Sequence, residues 1–118
     1  MKPIPIERII GEQLSSVEFV QDYVQLKFDG PTLTVFTWPV LRIATMTVHS
    51  RDAGYKDHLC ERIGHKVSAA AIRDENSINI TFDDGAEVSI SLKPQDRQGP
   101  EAGYFAASGD PKEPLLDF

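Results

Sequence analysis

Two stretches decide the fold of this chain: Val24-Gln25-Leu26-Lys27-Phe28-Asp29-Gly30 and Ile78-Asn79-Ile80-Thr81-Phe82-Asp83-Asp84-Gly85. Each begins with five residues that alternate between apolar and polar side chains, a pattern typical of a β-strand with one buried face. Each ends in Asp-Gly, whose glycine readily supplies the positive φ that tight hairpin turns require. Apolar alternation resumes after each turn, at Leu33–Val35 and at Val88–Leu92. The sequence therefore predicts two hairpins of the same kind.

The likeness between the two halves continues upstream of the hairpins. A Glu-Arg-Ile lead-in followed by glycine occurs at residues 7–11 and again at 61–64. An apolar pattern after each glycine predicts a leading strand, at Leu14–Val20 and at Val67–Arg73. Two hairpins can look alike by chance, but turn chemistry gives the lead-in no reason to recur. We therefore interpret the chain as an internal duplication of a three-stranded meander.

Length and composition favour one domain, residues 1–118. Two separate units of half this length would each struggle to bury a core, and the composition, 41% hydrophobic and 25% charged, is that of an ordinary globular protein. A single meander buries only one face, so two packed copies cover each other. The predicted fold is mainly β with one short helix. It is a β-sandwich or a partly open barrel of about six to eight strands, with pseudo-two-fold symmetry.

The boundaries of the parts follow from these patterns. The first repeat covers about residues 7–37, the linker about 40–63 and the second repeat about 61–93. Within the linker, Leu41–Val48 is predicted as one further strand. Asp52 is the expected N-cap of a helix that continues through Ile63 and ends at Gly64. The apolar stripe of this helix comprises Tyr55, Leu59 and Ile63.

Residues 94–118 form a C-terminal loop and tail. Proline and glycine predict a loop up to Pro100, and Glu101–Ala107 is predicted to be a short edge strand. The acidic tail carries Leu115, Leu116 and Phe118. A free tail would leave these three large apolar side chains in water, so we expect them to dock on this molecule or on a neighbour.

Charge and cysteine content limit the classes of partner and the compartment. The net charge of −6 repels phosphate backbones and predicts no nucleic-acid binding, whereas a basic protein partner is compatible with it. No apolar run approaches the ~20 residues that span a membrane, so no membrane association is expected. The N-terminus lacks the apolar core of a secretory signal. Cys60 is the only cysteine, which favours a reducing, cytoplasmic location and a small buried residue of the helix.

Several motifs resemble those of known proteins. They are D-Y-V-Q-L-K-F-D-G at 22–30, F-T-W-P at 36–39, I-G-H-K-V at 63–67, F-D-D-G at 82–85 and G-P-E-A at 99–102. Together they resemble a group of small bacterial β-domain proteins of unknown function, which implies a bacterial origin but brings no catalytic residues. The I-G-x-x-V…F-x-D-G pattern of each half also resembles short β domains found among bacterial toxin-immunity proteins.

The residue patterns do not indicate catalytic chemistry. The spacing of His49, His58 and His65 matches no zinc pattern, so these histidines are expected to be exposed or capping. Asp83-Asp84 is explained by the turn itself. There is no G-x-S-x-G motif and no glycine-rich phosphate loop. We therefore predict a protein that is not an enzyme and has no metal or cofactor.

Residues that differ between the two copies are the candidates for function. The aromatic residues among them would form an apolar patch, or else a second small core beneath the tail. Arg97 and Glu101 form either an ion pair that holds a loop or part of a binding surface. The predicted function is a protein-interaction module, with a homodimer as one form. Alternatives are an immunity-type protein with a basic partner and a small-ligand barrel with its pocket between the meanders. The candidate surface comprises Tyr23, Phe36, Trp38, Arg97, Glu101 and Tyr104.

Overall fold

The structure, a computed structural model, describes residues 4–110, 112–113 and 115–118. The remaining residues of the predicted domain 1–118, namely Met1–Pro3, Pro111 and Pro114, lie outside the described residues. One α-helix, α1, covers Tyr55–Cys60, and short 3-10 helices cover Ile6–Ile9 and Pro94–Asp96. The strands are β1 Leu14–Phe19, β2 Val24–Phe28, β3 Thr32–Val35, β4 Val40–Ile43, β5 Met46–Val48, β6 Val67–Arg73, β7 Ser77–Phe82, β8 Glu87–Ser91, β9 Gly103–Ala106 and β10 Leu115–Asp117.

The strands form two antiparallel five-stranded sheets. Sheet A has the order β1-β2-β3-β9-β10 and sheet B has the order β5-β4-β8-β7-β6. The sheets stack as a sandwich and do not close into a barrel, which confirms the mainly β prediction. Ten strands are described, against the six to eight expected, because two strands of only three residues, β5 and β10, had too little pattern to be recognised.

The predicted meanders are β1-β2-β3 and β6-β7-β8, and each is extended by a hairpin. β9 and β10 extend the first meander at β3, and β4 and β5 extend the second at β8. Both leading strands carry an irregularity at the corresponding position, directly after Leu14 in β1 and directly after Val67 in β6. A shared irregularity of this kind is a feature of the fold rather than of either sheet alone.

The two meanders meet at a reciprocal junction. Gln13 and Lys66 form an antiparallel bridge between them. On one side the Gly11 N–H donates to the Val67 carbonyl at 2.8 Å, and on the other the Gly64 N–H donates to the Leu14 carbonyl at the same distance. The helical segment before each meander contacts the leading strand of the other, Ile6–Ile9 against β6 and α1 against β1. The junction thus has approximate two-fold symmetry.

The core lies between the sheets and is built from the inward residues of the alternating strands. Those from sheet A include Leu14, Val24, Leu26, Leu33, Val35 and Phe105, and those from sheet B include Leu41, Val67, Ile78, Ile80, Val88 and Ile90. α1 covers one end of this core with Tyr55 and Leu59. The buried Tyr55 hydroxyl donates to the Pro39 carbonyl, and burial raises the pKa of this phenol, so it remains a donor at neutral pH.

Leu41–Val48 was predicted as one strand and is instead the β4–β5 hairpin. The turn falls at Ala44, whose φ is +56°. Few non-glycine residues adopt this conformation, and no glycine or proline marks the turn in the sequence. The hairpin therefore could not be recognised from local pattern.

The predicted helix from Asp52 to Ile63 was too long at both ends. α1 begins after Gly54, whose φ is +80°, and the Asp52 carboxylate accepts the His49 N–H at 2.8 Å instead of capping a helix. α1 ends at Cys60, after which the chain turns toward Gly64. Within the part of the chain that the structure describes, no helix is long and apolar enough to cross a membrane.

Two residues at the end of α1 are more exposed than expected. Ile63 was expected on the buried stripe but is 42% exposed, because it lies in the turn rather than on the helix. Cys60 was expected to be buried and is exposed at the last helical position. The apolar period of four residues therefore holds only across Tyr55 and Leu59, and Cys60 lies off that stripe.

β9 was predicted as an edge strand, but it lies inside sheet A. It pairs with β3 on one side and with β10 on the other, so β10 takes the edge. The apolar tail docks on this molecule, as one of the two alternatives proposed. Phe118 is buried at 6% exposure and Leu116 packs against the core, whereas Leu115 faces solvent at 62% exposure.

Candidate interaction surface

Three aromatic rings form a row on the outer face of sheet A. Tyr23 precedes β2, Phe36 follows β3 and Tyr104 lies in β9; each neighbours a buried inward residue, so alternation directs it outward. The ring centroids of Tyr23 and Phe36 are 5.9 Å apart at an interplanar angle of 81°, and those of Phe36 and Tyr104 are 5.5 Å apart at 85°. Both contacts have the edge-to-face geometry that aromatic pairs prefer.

The row forms one wall of an open hollow with a volume of about 350 Å³. Its floor carries threonines of β3, and Leu115 of β10 forms the opposite rim. The three rings are half-buried, and the tail runs beside β9 rather than over them. The patch is therefore accessible and is not a second core beneath the tail. The full lining comprises Tyr23, Gln25, Thr32, Thr34, Phe36, Tyr104, Ala106 and Leu115.

A second hollow of about 240 Å³ adjoins the first and shares Phe36 and Tyr104 with it. Its other lining residues are Asp22, Gln98, Gly99 and Glu101. The two hollows together are called the aromatic groove below. Asp22 and Glu101 are the charged side chains that line it, and both are acids. The groove is thus apolar along its length and negative at one end.

Arg97 stabilises the loop beside the groove in a way that the sequence did not predict. Its guanidinium donates to the Leu92 carbonyl at 2.9 Å and to the Pro100 carbonyl at 3.2 Å. Within the described residues, Arg97 forms no ion pair with Glu101. The expected Arg97–Glu101 pair is thus replaced by bonds to backbone oxygens, and Glu101 is left to line the groove.

Trp38 is separated from the other candidate residues. The chain leaves sheet A after Val35 and enters sheet B at Val40, and Trp38 lies in this crossing. Its ring lines a different cleft, near α1. Of the six predicted residues, the structure brings Tyr23, Phe36, Glu101 and Tyr104 together. Asp22 and Leu115 were not predicted; Leu115 joins the groove through strand pairing that leaves no local signal.

The outer face of sheet B has a different chemistry. It carries a hollow of about 400 Å³ whose lining is mostly polar. The lining residues are Val40, Arg42, Thr47, Arg73, Ser77, Asn79, Glu87 and Ser89. The aromatic character of the groove is therefore not a general property of this sandwich, because the equivalent face of the other sheet lacks it.

A polar cluster joins the second lead-in to the turn between β7 and β8. His65 Nδ1 lies 2.7 Å from an Asp83 carboxylate oxygen, and the nearly buried Arg62 pairs with Asp84. From the sequence, Asp83 and Asp84 were explained by the turn alone, and their contacts with His65 and Arg62 were not predicted. The ligand atoms of His65, Asp83 and Asp84 lie within 4.8 Å of one another, a spacing that a metal ion could use. Arg62 already supplies positive charge there, so an ion pair accounts for the arrangement.

Both carboxyl groups of this cluster have altered acidity. The hydrogen bond from His65 lowers the pKa of Asp83, and the Lys66 N–H acts in the same direction. Burial acts to raise the pKa of Asp84, but hydrogen bonds from Arg62 and from the Ala86 N–H outweigh it, and the pKa is lowered. Both groups are thus held in the charged form by their partners.

Comparison with known proteins adds no further relationship: no family model, curated protein or solved structure matches the chain. The resemblance to small bacterial β-domain proteins and to toxin-immunity domains stays a prediction from motifs.

Proposed function

We propose that this chain is a protein-interaction module that binds its partner through the aromatic groove. The observation that carries the proposal is the row of Tyr23, Phe36 and Tyr104, half-buried and edge-to-face on the outer face of a sheet. Apolar patches on a solvent-facing surface mark contact sites, and aromatic anchors supply much of the energy at such sites. The exposed Leu115 extends the patch to the sheet edge.

The chemistry of the groove favours a basic and apolar protein segment as the partner. An apolar side chain fits against Phe36 and the threonine floor. A lysine or arginine beside it would reach Asp22 or Glu101, or lie over a tyrosine face. The net charge of −6 would speed the encounter with such a partner. A basic toxin domain, as the immunity interpretation requires, is one partner of this class.

The homodimer is the second form of the proposal. A two-fold contact through the groove would place the acidic ends of both copies in one interface, and like charges there oppose association. Self-association through this face is therefore expected to be weaker than binding of a basic segment.

Phe36→Ala tests the proposal, because Phe36 contacts both tyrosines and lines both hollows. The probe is an amidated peptide with leucine and phenylalanine between arginines, and its control is the same peptide with glutamates. We expect the basic peptide to shift backbone resonances of β3 and β9. Phe36→Ala should weaken the affinity for this peptide by about tenfold or more. Arg42→Ala, on the outer face of sheet B, should leave its affinity unchanged.

Equal binding of both peptides, or full binding by Phe36→Ala, would contradict a basic partner in the groove. Sedimentation equilibrium separates the two forms of the proposal. A wild-type dimer that Phe36→Ala converts to a monomer would support self-association instead of a basic partner. A fold check by circular dichroism accompanies each variant.

A further inference from the structure

We propose that the cleft at Trp38 is a binding site for a small organic anion with a flat apolar body, such as an aromatic carboxylate or aromatic phosphate. The cleft has a volume of about 550 Å³, a size typical of small-molecule sites. It lies between the β1–β2 turn, the crossing from sheet A to sheet B, and the start of α1. Its lining comprises Phe19, Val20, Gln21, Trp38, Ser50, Arg51, Tyr55 and Lys56. The site is separate from the aromatic groove and does not depend on it.

The charge of the cleft is opposite to that of the chain. Arg51 and Lys56 both line it, and its described lining contains no carboxylate, although the net charge is −6. Asp52 is next in sequence, but its carboxylate accepts the His49 N–H at 2.8 Å and lies 3.6 Å from the His49 ring. Asp52 and Asp57 both line an adjoining depression, which shares Ser50, Tyr55 and Lys56 with the cleft, but neither carboxylate lines the cleft itself. Two cations without an acid between them form a local site for an anionic group.

The remaining walls favour a flat apolar body. Trp38 and Phe19 are half-buried and pack against the core, so their rings are held in place. Lys56 Nζ lies 5.5 Å from the centroid of the Phe19 ring, which places the cation beside the aromatic wall. The Tyr55 hydroxyl donates to the Pro39 carbonyl, so its proton is not available to an anionic group.

The number of cations limits the class of anion. A polyanion such as nucleic acid is bound through many phosphate contacts, and two cations in an otherwise acidic molecule are too few for that. A single carboxylate or phosphate matches the two charges. Gln21 and Ser50 supply neutral hydrogen-bonding groups at the rim for its remaining oxygens.

Trp38 is the only tryptophan, so its indole N–H gives a single resonance that reports on this cleft. The probes are benzoate and phenyl phosphate, with benzyl alcohol as the neutral analogue and inorganic phosphate as the anion without a ring. We expect the two aromatic anions to shift the resonance saturably, and both controls to bind at least about tenfold more weakly. The double variant Arg51→Gln, Lys56→Gln should weaken benzoate by about tenfold or more. Arg42→Gln, Lys93→Gln removes two cations elsewhere and should not.

Three results would overturn the proposal. If benzyl alcohol binds as tightly as benzoate, the cleft binds the ring alone and the negative charge of the ligand contributes nothing. If the Arg51, Lys56 double variant keeps an otherwise native spectrum and binds benzoate with unchanged affinity, the two cations do not contribute to binding. No saturable shift by either aromatic anion up to about 1 mM would show that the cleft does not bind this class. None of these results affects the peptide experiment on the aromatic groove.

Discussion

At Gly103, two strands and the tail meet so closely that no side chain fits. A Cβ there would lie 2.1 Å from the carbonyl oxygen of Thr34 and 2.6 Å from the ring of Phe118. The first contact is with backbone, which can yield only if β9 moves away from β3. The glycine therefore lets β3 and the Phe118 ring approach this point of β9 closely.

Gly103→Ala is expected to lower the free energy of unfolding by more than about 2 kcal/mol, because the clash forces strand displacement. Urea denaturation measures the change. Gly99→Ala is the matched control in the same part of the chain, since its Cβ would meet nothing within 4 Å. It should alter stability by less than about 0.5 kcal/mol. Equal stability of the Gly103 variant and the wild type would contradict the packing described.

At the scale of elements, the Arg62–Asp84 pair ties the segment after α1 to the turn between β7 and β8. Arg62 is 5% exposed, and its charge needs a counter-charge at that depth. Counted back from the glycine that ends each lead-in, the position of Arg62 is occupied before the first meander by the fully buried Ile9. At this position the two lead-ins are thus anchored differently, one by a buried apolar side chain and one by an ion pair.

Asp84→Asn is expected to reduce stability at pH 7 by about 1–3 kcal/mol, because Arg62 loses its counter-charge. The pKa of Asp84 is lowered in the folded chain. Its stabilising contribution is thus complete above the unfolded pKa of about 3.9 and is lost as pH falls through the folded value. The difference between wild type and variant should therefore shrink below about pH 4. Thermal unfolding from pH 7 to pH 2 measures it.

Asp74→Asn is the control for this titration. Asp74 is exposed in the turn between β6 and β7, where asparagine tolerates the positive φ of 51°. It should change the free energy of unfolding by less than about 0.5 kcal/mol. A constant difference between Asp84→Asn and the wild type down to pH 2 would contradict an ion-pair role for Asp84.

Across the whole molecule, the reciprocal contacts at the Gln13–Lys66 junction make the stability of each meander depend on the other. The Gly11 and Gly64 hydrogen bonds cross between meanders, and each lead-in packs on the opposite leading strand. We expect one cooperative unfolding transition, with slowly exchanging amides of β2 and β7 protected by the same free energy. Native-state hydrogen exchange tests this. Loss of protection in one meander while the other stays protected would show two independent units.

The sequence alone determined the meander strands and the turns between them, because alternation and Asp-Gly act within a few residues. It also singled out Tyr23, Phe36, Trp38 and Tyr104 as an aromatic group, but it left open whether they form an apolar patch or a second small core beneath the tail. Only the tertiary structure decided that β9 lies between β3 and β10, which brings Tyr104 against Phe36 and adds Leu115. It also separated Trp38 from the others and turned Arg97 toward backbone carbonyls. These outcomes depend on strand order and on burial between distant segments, which no local pattern encodes.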